Sequence, residues 1–316
     1  MSKLLFTPSS FQIDSFHDRD WVEAAGFELV WNPYGRRLTE AEVSNLLDEH
    51  VVGMVAGVEP LTASVLQKAK SLRVISRCGI GLDNVDLEAA AQYGIRVFNT
   101  PNAPTVAVAE LTLAHILALS RHVALSNRDI HAGQWQPLMG RLIAKQTVGI
   151  VGFGRIGRYV AKLLGAFGAR LLVYEKNPTP CCESVTFVDF ETLLQESDII
   201  TLHIPYDQST HHLINDAALD MMKPSALLIN VARGGLIDEA ALYTAMKAQR
   251  LAGVALDCFE EEPYKGALCS CDHVQMTAHM GSYAREARSI MESEACSLLV
   301  SALQTLGLIT EGTVKQ

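Results

Sequence analysis

The 316-residue sequence predicts an α/β protein made of two doubly wound parallel-sheet domains with a cleft between them. Three observations carry this expectation. Short apolar strands alternate with helical stretches along the chain, the pattern of parallel sheets joined by right-handed crossovers. The apolar run Val148 to Val151 passes straight into Gly152-x-Gly154-x-x-Gly157 and then into a helix. A chain of 316 residues also exceeds what one ordinary core organises, so two cores are expected.

The glycine-rich stretch is the centre of the reading. Gly152 lets the chain turn sharply, Gly154 lets backbone approach a pyrophosphate, and Gly157 lets the helix pack close to the strand. The helix start beyond it offers N–H groups and the positive end of a dipole to phosphate. Further on, Leu171 to Glu175 reads as a second strand ending in an acid, the place of a ribose-binding carboxylate in a dinucleotide site.

Before this unit, strands are expected at Lys3 to Thr7, Gly26 to Trp31, Val51 to Ala56, Arg73 to Arg77 and Ile95 to Phe98. Thr39 and Glu42 form a capping-box pattern that opens a helix. Further helices are expected around Ala63 to Ala69 and Asp86 to Tyr93, the latter ended by Gly94. Pro101 and Pro104 mark a connector. The stretch from Thr105 to about His122 is apolar over most of its surface, so it reads as one long buried helix and a dimerisation element, with a more polar helix continuing to about Gln134.

After Glu175 come a helix at Phe190 to Glu196 and strands at Ile199 to Ile204, Ala226 to Val231, Val254 to Asp257 and Val274 to Thr277. A helix from Glu239 to Ala248 is expected between the strands that end at Val231 and begin at Val254. The terminal helix, Tyr283 to about Thr305, is expected to return and cover the first sheet. The domains are therefore placed at 1–101 plus 283–316 for substrate, and 102–282 for the dinucleotide.

Composition narrows the function. Apolar residues make up 49% of the chain, enough for a sizeable core. A net charge of −9 argues against a nucleic-acid surface, which would be basic. No apolar run reaches bilayer length, so no membrane partner is expected. The start has one lysine and only a short apolar stretch, unlike a secretory signal, which points to the cytoplasm. The seven cysteines are read as free thiols of a reducing compartment. Cys181-Cys182 and Cys269-x-Cys271 lack the spacing of a zinc site, so no metal is expected.

In open α/β sheets, ligands bind outside the carboxyl ends of the strands. Arg77, Glu175, His203, Arg233, Asp257 and His279 all fall at such ends and are the candidate site residues.

With these blocks in view, the sequence resembles the D-isomer-specific 2-hydroxyacid dehydrogenases over essentially its whole length. The resemblance rests on Ser76-Arg-Cys-Gly-Ile-Gly-Leu-Asp-Asn-Val-Asp86, Asn99-Thr-Pro-Asn102, the glycine-rich stretch and Leu202-His-Ile-Pro205. It also rests on Met222-Lys-Pro224, Asn230-Val-Ala-Arg-Gly-Gly-Leu-Ile-Asp238, Leu256-Asp-Cys-Phe-Glu-Glu-Glu-Pro263 and Thr277-Ala-His-Met-Gly281. It is most similar to short phosphoglycerate dehydrogenases and to hydroxypyruvate/glyoxylate reductases.

The resemblance implies an NAD-dependent enzyme that interconverts a D-2-hydroxy acid and its 2-keto acid, and the long apolar helix after Thr105 adds the expectation of a homodimer. It implies a triad of Arg233 for the substrate carboxylate and carbonyl, His279 as acid–base and Glu262 as the partner of the imidazole. Glu260 and Glu261 are alternatives that only the family's Glu-Pro pair sets aside. Cofactor contacts are implied for Gly152, Gly154, Arg155, Ile156, Gly157, Glu175, His203, Ile204, Pro205, Val231, Ala232, Asp257 and His279. Substrate contacts are implied for Arg77, Cys78, Gly79, Ile80 and Arg233. A phosphoglycerate dehydrogenase-like activity is the expectation, with hydroxypyruvate/glyoxylate reduction as the alternative. An NADH-sensing corepressor-like protein is the alternative of another class. Ala56 stands where phosphoglycerate dehydrogenases usually carry a further phosphate-binding arginine, and Ala278 replaces a proline common before the histidine.

Overall fold

The computed structural model describes residues 1–9, 11–178 and 184–309; Cys181 and Cys182 lie outside them. The chain divides into two compact units, Met1–Pro104 with Ser282–Gln316, and Thr105–Gly281.

The first unit begins with β1 (Ser2–Phe6), α1 (Arg19–Ala24), β2 (Phe27–Trp31), α2 (Glu40–Leu46) and β3 (Val51–Ala56). It continues with α3 (Ala63–Lys68), β4 (Val74–Arg77), α4 (Leu87–Gln92) and β5 (Arg96–Asn99). Its five strands are parallel in the order β2-β1-β3-β4-β5, the flavodoxin-like winding. Local chemistry starts the helices. Thr39 and Glu42 exchange both capping-box hydrogen bonds, while Thr62 and Asp86 cap α3 and α4 by accepting the N–H groups of Val65 and Ala89.

The second unit opens with α5 (Thr105–Ser120) and α6 (Val123–His131), followed by β6 (Thr147–Val151), α7 (Arg155–Ala166), β7 (Arg170–Tyr174) and β8 (Thr186–Phe187). It ends with α8 (Phe190–Glu196), β9 (Ile199–Leu202), α9 (Asp216–Met221), β10 (Leu227–Asn230), α10 (Glu239–Lys247), β11 (Gly253–Leu256) and β12 (Val274–Met276). The strands are parallel in the order β12-β11-β10-β9-β6-β7-β8. The order reverses between β6 and β9, the topological switch point at which open α/β sheets bind ligands. Ile150 and Ile229 join one core cluster, Ile200 and Leu228 the other, so both faces of this sheet are buried.

Three local features differ from the sequence reading. The long helix ends at Ser120, because His122 turns left-handed (φ 53°) and α6 departs at 62°. Strand β8 has only two residues, too short to show a period. Helix α9 went unread although Asn215 caps it through the Ala218 N–H. The apolar surface of α5 is covered largely inside its own unit, by α7, β10 and β11, with Ala109, Thr112, His115 and Ile116 buried.

The last helix, α11 (Arg285–Thr305), packs on β3, β4 and β5 of the first unit. Met291, Ala295, Leu299 and Leu303 join Leu4, Phe6, Val55 and Val74 in one buried cluster. No single helix among the described residues is long and apolar enough to cross a membrane.

Candidate active site

At the end of β6 the chain turns at Gly152, whose φ of +94° suits glycine. A Cβ there would also lie 2.6 Å from the His203 carbonyl oxygen and from Ile204 Cγ2. A Cβ on Gly157 would collide with the Gly152 carbonyl oxygen, so α7 packs tightly against the turn. Gly154 faces open space, with nothing within 4 Å of where its Cβ would stand, and it is the N-cap of α7. Arg155 and Ile156 thus begin a twelve-residue helix beneath an open approach. Glu175, just past β7, accepts the N–H groups of Phe153 at 2.7 Å and Asn177 at 3.3 Å, which fixes its carboxylate beside the turn. An open glycine at a helix N-terminus beside a fixed acid fits a dinucleotide: Gly154 and the start of α7 would hold a pyrophosphate and Glu175 a ribose.

His203 follows β9, and its Nε2 lies 3.0 Å from Thr201 Oγ1. Burial pushes its pKa down to about 3, so the ring is neutral. Its Nδ1 is buried without a hydrogen-bond partner among the described residues. Ile204 packs over Gly152, and Pro205 is exposed. After β10, Val231 is buried and Asn230 braces the turn. Its Oδ1 accepts the Ala232 N–H (3.0 Å) and its amide donates to the Arg233 carbonyl (2.8 Å). The half-buried Arg233 donates through Nη1 to the Ala232 carbonyl at 2.7 Å.

Asp257, fully buried after β11, accepts from Thr277 Oγ1 at 2.6 Å and from the Met280 and Gly281 N–H groups at 2.8 Å each. These bonds enclose His279, which sits in the left-handed region at φ 49°. His279 Nδ1 lies 3.0 Å from both oxygens of Glu262. The other two acids of the run do different things: Glu260 pairs with His212 Nε2 at 2.7 Å, and Glu261 is exposed. Burial by itself would lower the His279 pKa, but hydrogen bonds and charge from Cys258 and Glu262 outweigh it and carry it up to about 10.

Two residues near this loop carry no role in the sequence reading, His115 and Cys258. His115 of α5 lies 3.2 Å from Thr277 Oγ1 through Nε2 and 2.7 Å from Gln275 Nε2 through Nδ1. With Thr277 it extends the chain of hydrogen bonds that ends on Asp257. Cys258, 2% exposed, brings its sulfur to within 4.8 Å of ligating atoms of Glu262 and His279. Its neighbour Asp257 was flagged by position, but nothing in a sequence says which way the next side chain points.

The Arg77–Gly81 loop belongs to the first unit. Arg77 is buried and donates to the Cys78 carbonyl at 2.8 Å. The Cys78 N–H goes to the Ala56 carbonyl, and the Gly79 N–H to Thr100 Oγ1 at 2.8 Å. Ile80 and Gly81 are both partly exposed. Cys78 is 3% exposed, and burial pushes its thiol up to about 11.

Comparison with known proteins gives the family. The family model of the D-isomer specific 2-hydroxyacid dehydrogenase, NAD binding domain, matches residues 113–281. The chain is 38% identical over 283 residues to a hydroxypyruvate reductase of Thermotoga maritima, covering 86% of this chain and 92% of that protein. It is 38% identical over 260 residues to a D-3-phosphoglycerate dehydrogenase of Synechocystis sp., covering 79% of this chain but only 46% of that longer protein. The crystal structure of the TT0316 protein from Thermus thermophilus superposes with a TM-score of 0.87 at 35% identity, over 96% of this chain and 97% of that one. The fold, the dinucleotide turn and these matches together make the chain a member of the D-isomer-specific 2-hydroxyacid dehydrogenases, NAD-dependent oxidoreductases.

Proposed function

We propose that this dehydrogenase reduces a small unphosphorylated 2-keto acid of the hydroxypyruvate or glyoxylate kind. The corner after β3 carries the proposal. Phosphoglycerate dehydrogenases usually place a phosphate-binding arginine there, whereas here Ala56 is fully buried and followed by Gly57. The Gly57 N–H is already taken by Thr7 Oγ1 (3.1 Å) and Glu59 Oε1 (3.0 Å). Burial raises the pKa of Glu59, which stays bonded to Thr7. Whatever its charge, that carboxyl supplies no cation, and positions 56–59 (Ala-Gly-Val-Glu) hold no arginine or lysine.

In the proposed mechanism the fork of Arg233 holds the substrate carboxylate and carbonyl oxygen, since a guanidinium suits planar bidentate recognition. His279 as imidazolium gives its proton to the carbonyl oxygen in reduction and takes it back in oxidation. Glu262 acts through His279: it orients the ring by Nδ1 and stabilises the cation. Bound NADH supplies the hydride to C2. The fixed Glu175 carboxylate favours NAD over NADP, because a charge about 4 Å from a 2′-phosphate costs about 1–4 kcal/mol per unit charge.

A homodimer completes the proposal. Trp135 (87% exposed) and Met139 (93%) stand out with Val123, Ile130 and Leu142, an apolar run that one copy of the chain leaves uncovered. The free cysteines Cys78, Cys258, Cys269, Cys271 and Cys296 support a reducing, cytoplasmic setting.

The deciding experiment follows NADH oxidation with 3-phosphohydroxypyruvate, hydroxypyruvate, glyoxylate, pyruvate and a branched 2-keto acid. Hydroxypyruvate or glyoxylate is expected to give the highest kcat/KM. Preference for the phosphorylated substrate would overturn the proposal, and silence on all five with NADH still bound would favour a sensor.

A further inference from the structure

Cys258, Glu262 and His279 come from the ends of neighbouring strands and the loops after them, and no other such trio converges among the described residues. Each presents one potential ligand atom, and the three atoms lie within 4.8 Å of one another. Around a tetrahedral zinc ion with bonds of about 2.0–2.3 Å, ligand atoms stand roughly 3.3–3.7 Å apart. The Nδ1 to carboxylate distance of 3.0 Å is already close to that spacing, and small side-chain rotations bring the sulfur in.

The donor set is a thiol, an imidazole and a carboxylate, the mixture that zinc, a borderline-soft ion without a geometric preference of its own, accepts well. Asp257 is not a competitor, since its oxygens are held by Thr277, Met280 and Gly281. His279 keeps 39% of its side chain exposed, which leaves an entry path and a fourth position for water. Three protein ligands with one open position is an arrangement zinc occupies in many sites.

We propose that Cys258, Glu262 and His279 form an inhibitory zinc site that closes the acid–base group when divalent zinc is present. Zinc takes the place of protons on its ligands when it binds. Coordination occupies the Nδ1 lone pair, and the ring no longer cycles between imidazole and imidazolium. The inhibitory half rests on the role given to His279 above; the binding half does not. Cys269 and Cys271, exposed and half-exposed near His273, are the rival thiols and set the control.

The test uses chelator-treated full-length protein. Zinc is titrated against NADH-linked reduction, and in parallel cobalt(II) is added and the thiolate-to-cobalt charge-transfer band recorded. One ion per chain, inhibition reversed by chelator, and a thiolate band are expected. In Cys258→Val and Cys258→Ala, each compared with its own metal-free rate, the inhibitory zinc concentration should rise at least about 10-fold, the scale on which even outer-shell partners matter. The band should vanish in both. The Cys269→Ser/Cys271→Ser double variant should keep both effects.

Equal zinc sensitivity or a surviving band in the Cys258 variants would overturn the site, as would loss of either effect in the double variant. Absence of binding in the parent would overturn it too. A Cys258-dependent band without inhibition would uphold the metal site and overturn instead the inhibitory half, together with the role of His279.

Discussion

Asp257 accepts the backbone N–H of Met280 at 2.8 Å, one residue beyond His279. A second bond, from the Gly281 N–H, closes a carboxylate clamp on the loop. The clamp explains how His279 holds a left-handed conformation, which costs an L residue about 1 kcal/mol or more. A carboxylate that accepts three hydrogen bonds at a buried site more than offsets that cost.

Asp257→Asn is therefore expected to lower both stability and turnover. The amide keeps one acceptor oxygen but turns an NH2 toward donors, leaving a buried N–H unsatisfied. A loss of about 1–3 kcal/mol in denaturant unfolding is expected, with kcat falling more than NADH affinity. Unchanged stability would mean the clamp is dispensable.

His279→Asn should keep NADH binding, read by fluorescence, while kcat/KM for the keto acid drops about 10²-fold or more. Turnover like that of the parent would remove His279 from the chemistry.

The pH profile tests Glu262. The folded pKa of His279 is raised to about 10 from an ordinary 6.5, so its contribution to stability is full below 6.5 and is lost as pH rises through about 10. Reduction needs the imidazolium and should stay level through neutral pH, then fall as pH approaches that value. Glu262→Gln removes the charge that stabilises the cation. Its alkaline limb should move to lower pH, toward the ordinary imidazole value of about 6.5. A limb that stays in place would assign it to another group.

Glu175→Ala removes the charge beside the ribose site and the acceptor of the Phe153 N–H. The ratio of kcat/KM for NADPH over NADH should rise about 10-fold or more, within the roughly 1–4 kcal/mol of the repulsion it relieves. A ratio that does not move would place cofactor choice elsewhere, Lys176 being the nearest cation in sequence.

Much of this molecule is written in local sequence. Strand runs such as Val148 to Val151, caps such as Thr39, and the spacing of Gly152, Gly154 and Gly157 are set by neighbours a few residues away, so the sequence by itself determined the two parallel sheets and the dinucleotide turn. Glu175 and His279 were legible because strand ends fall at one edge of such a sheet. Tertiary structure alone decided the rest. The three acids at 260–262 are chemically alike, and where family resemblance only implied Glu262, the fold puts it at Nδ1 and turns Glu260 to His212. The break at His122 is a backbone choice that no apolar period records. The meeting of Cys258 with His279 and the reach of His115 to Thr277 depend on which elements lie side by side. Periodicity and capping are local and survive in one dimension; the direction of a side chain at a strand end is fixed by packing, which only the folded chain contains.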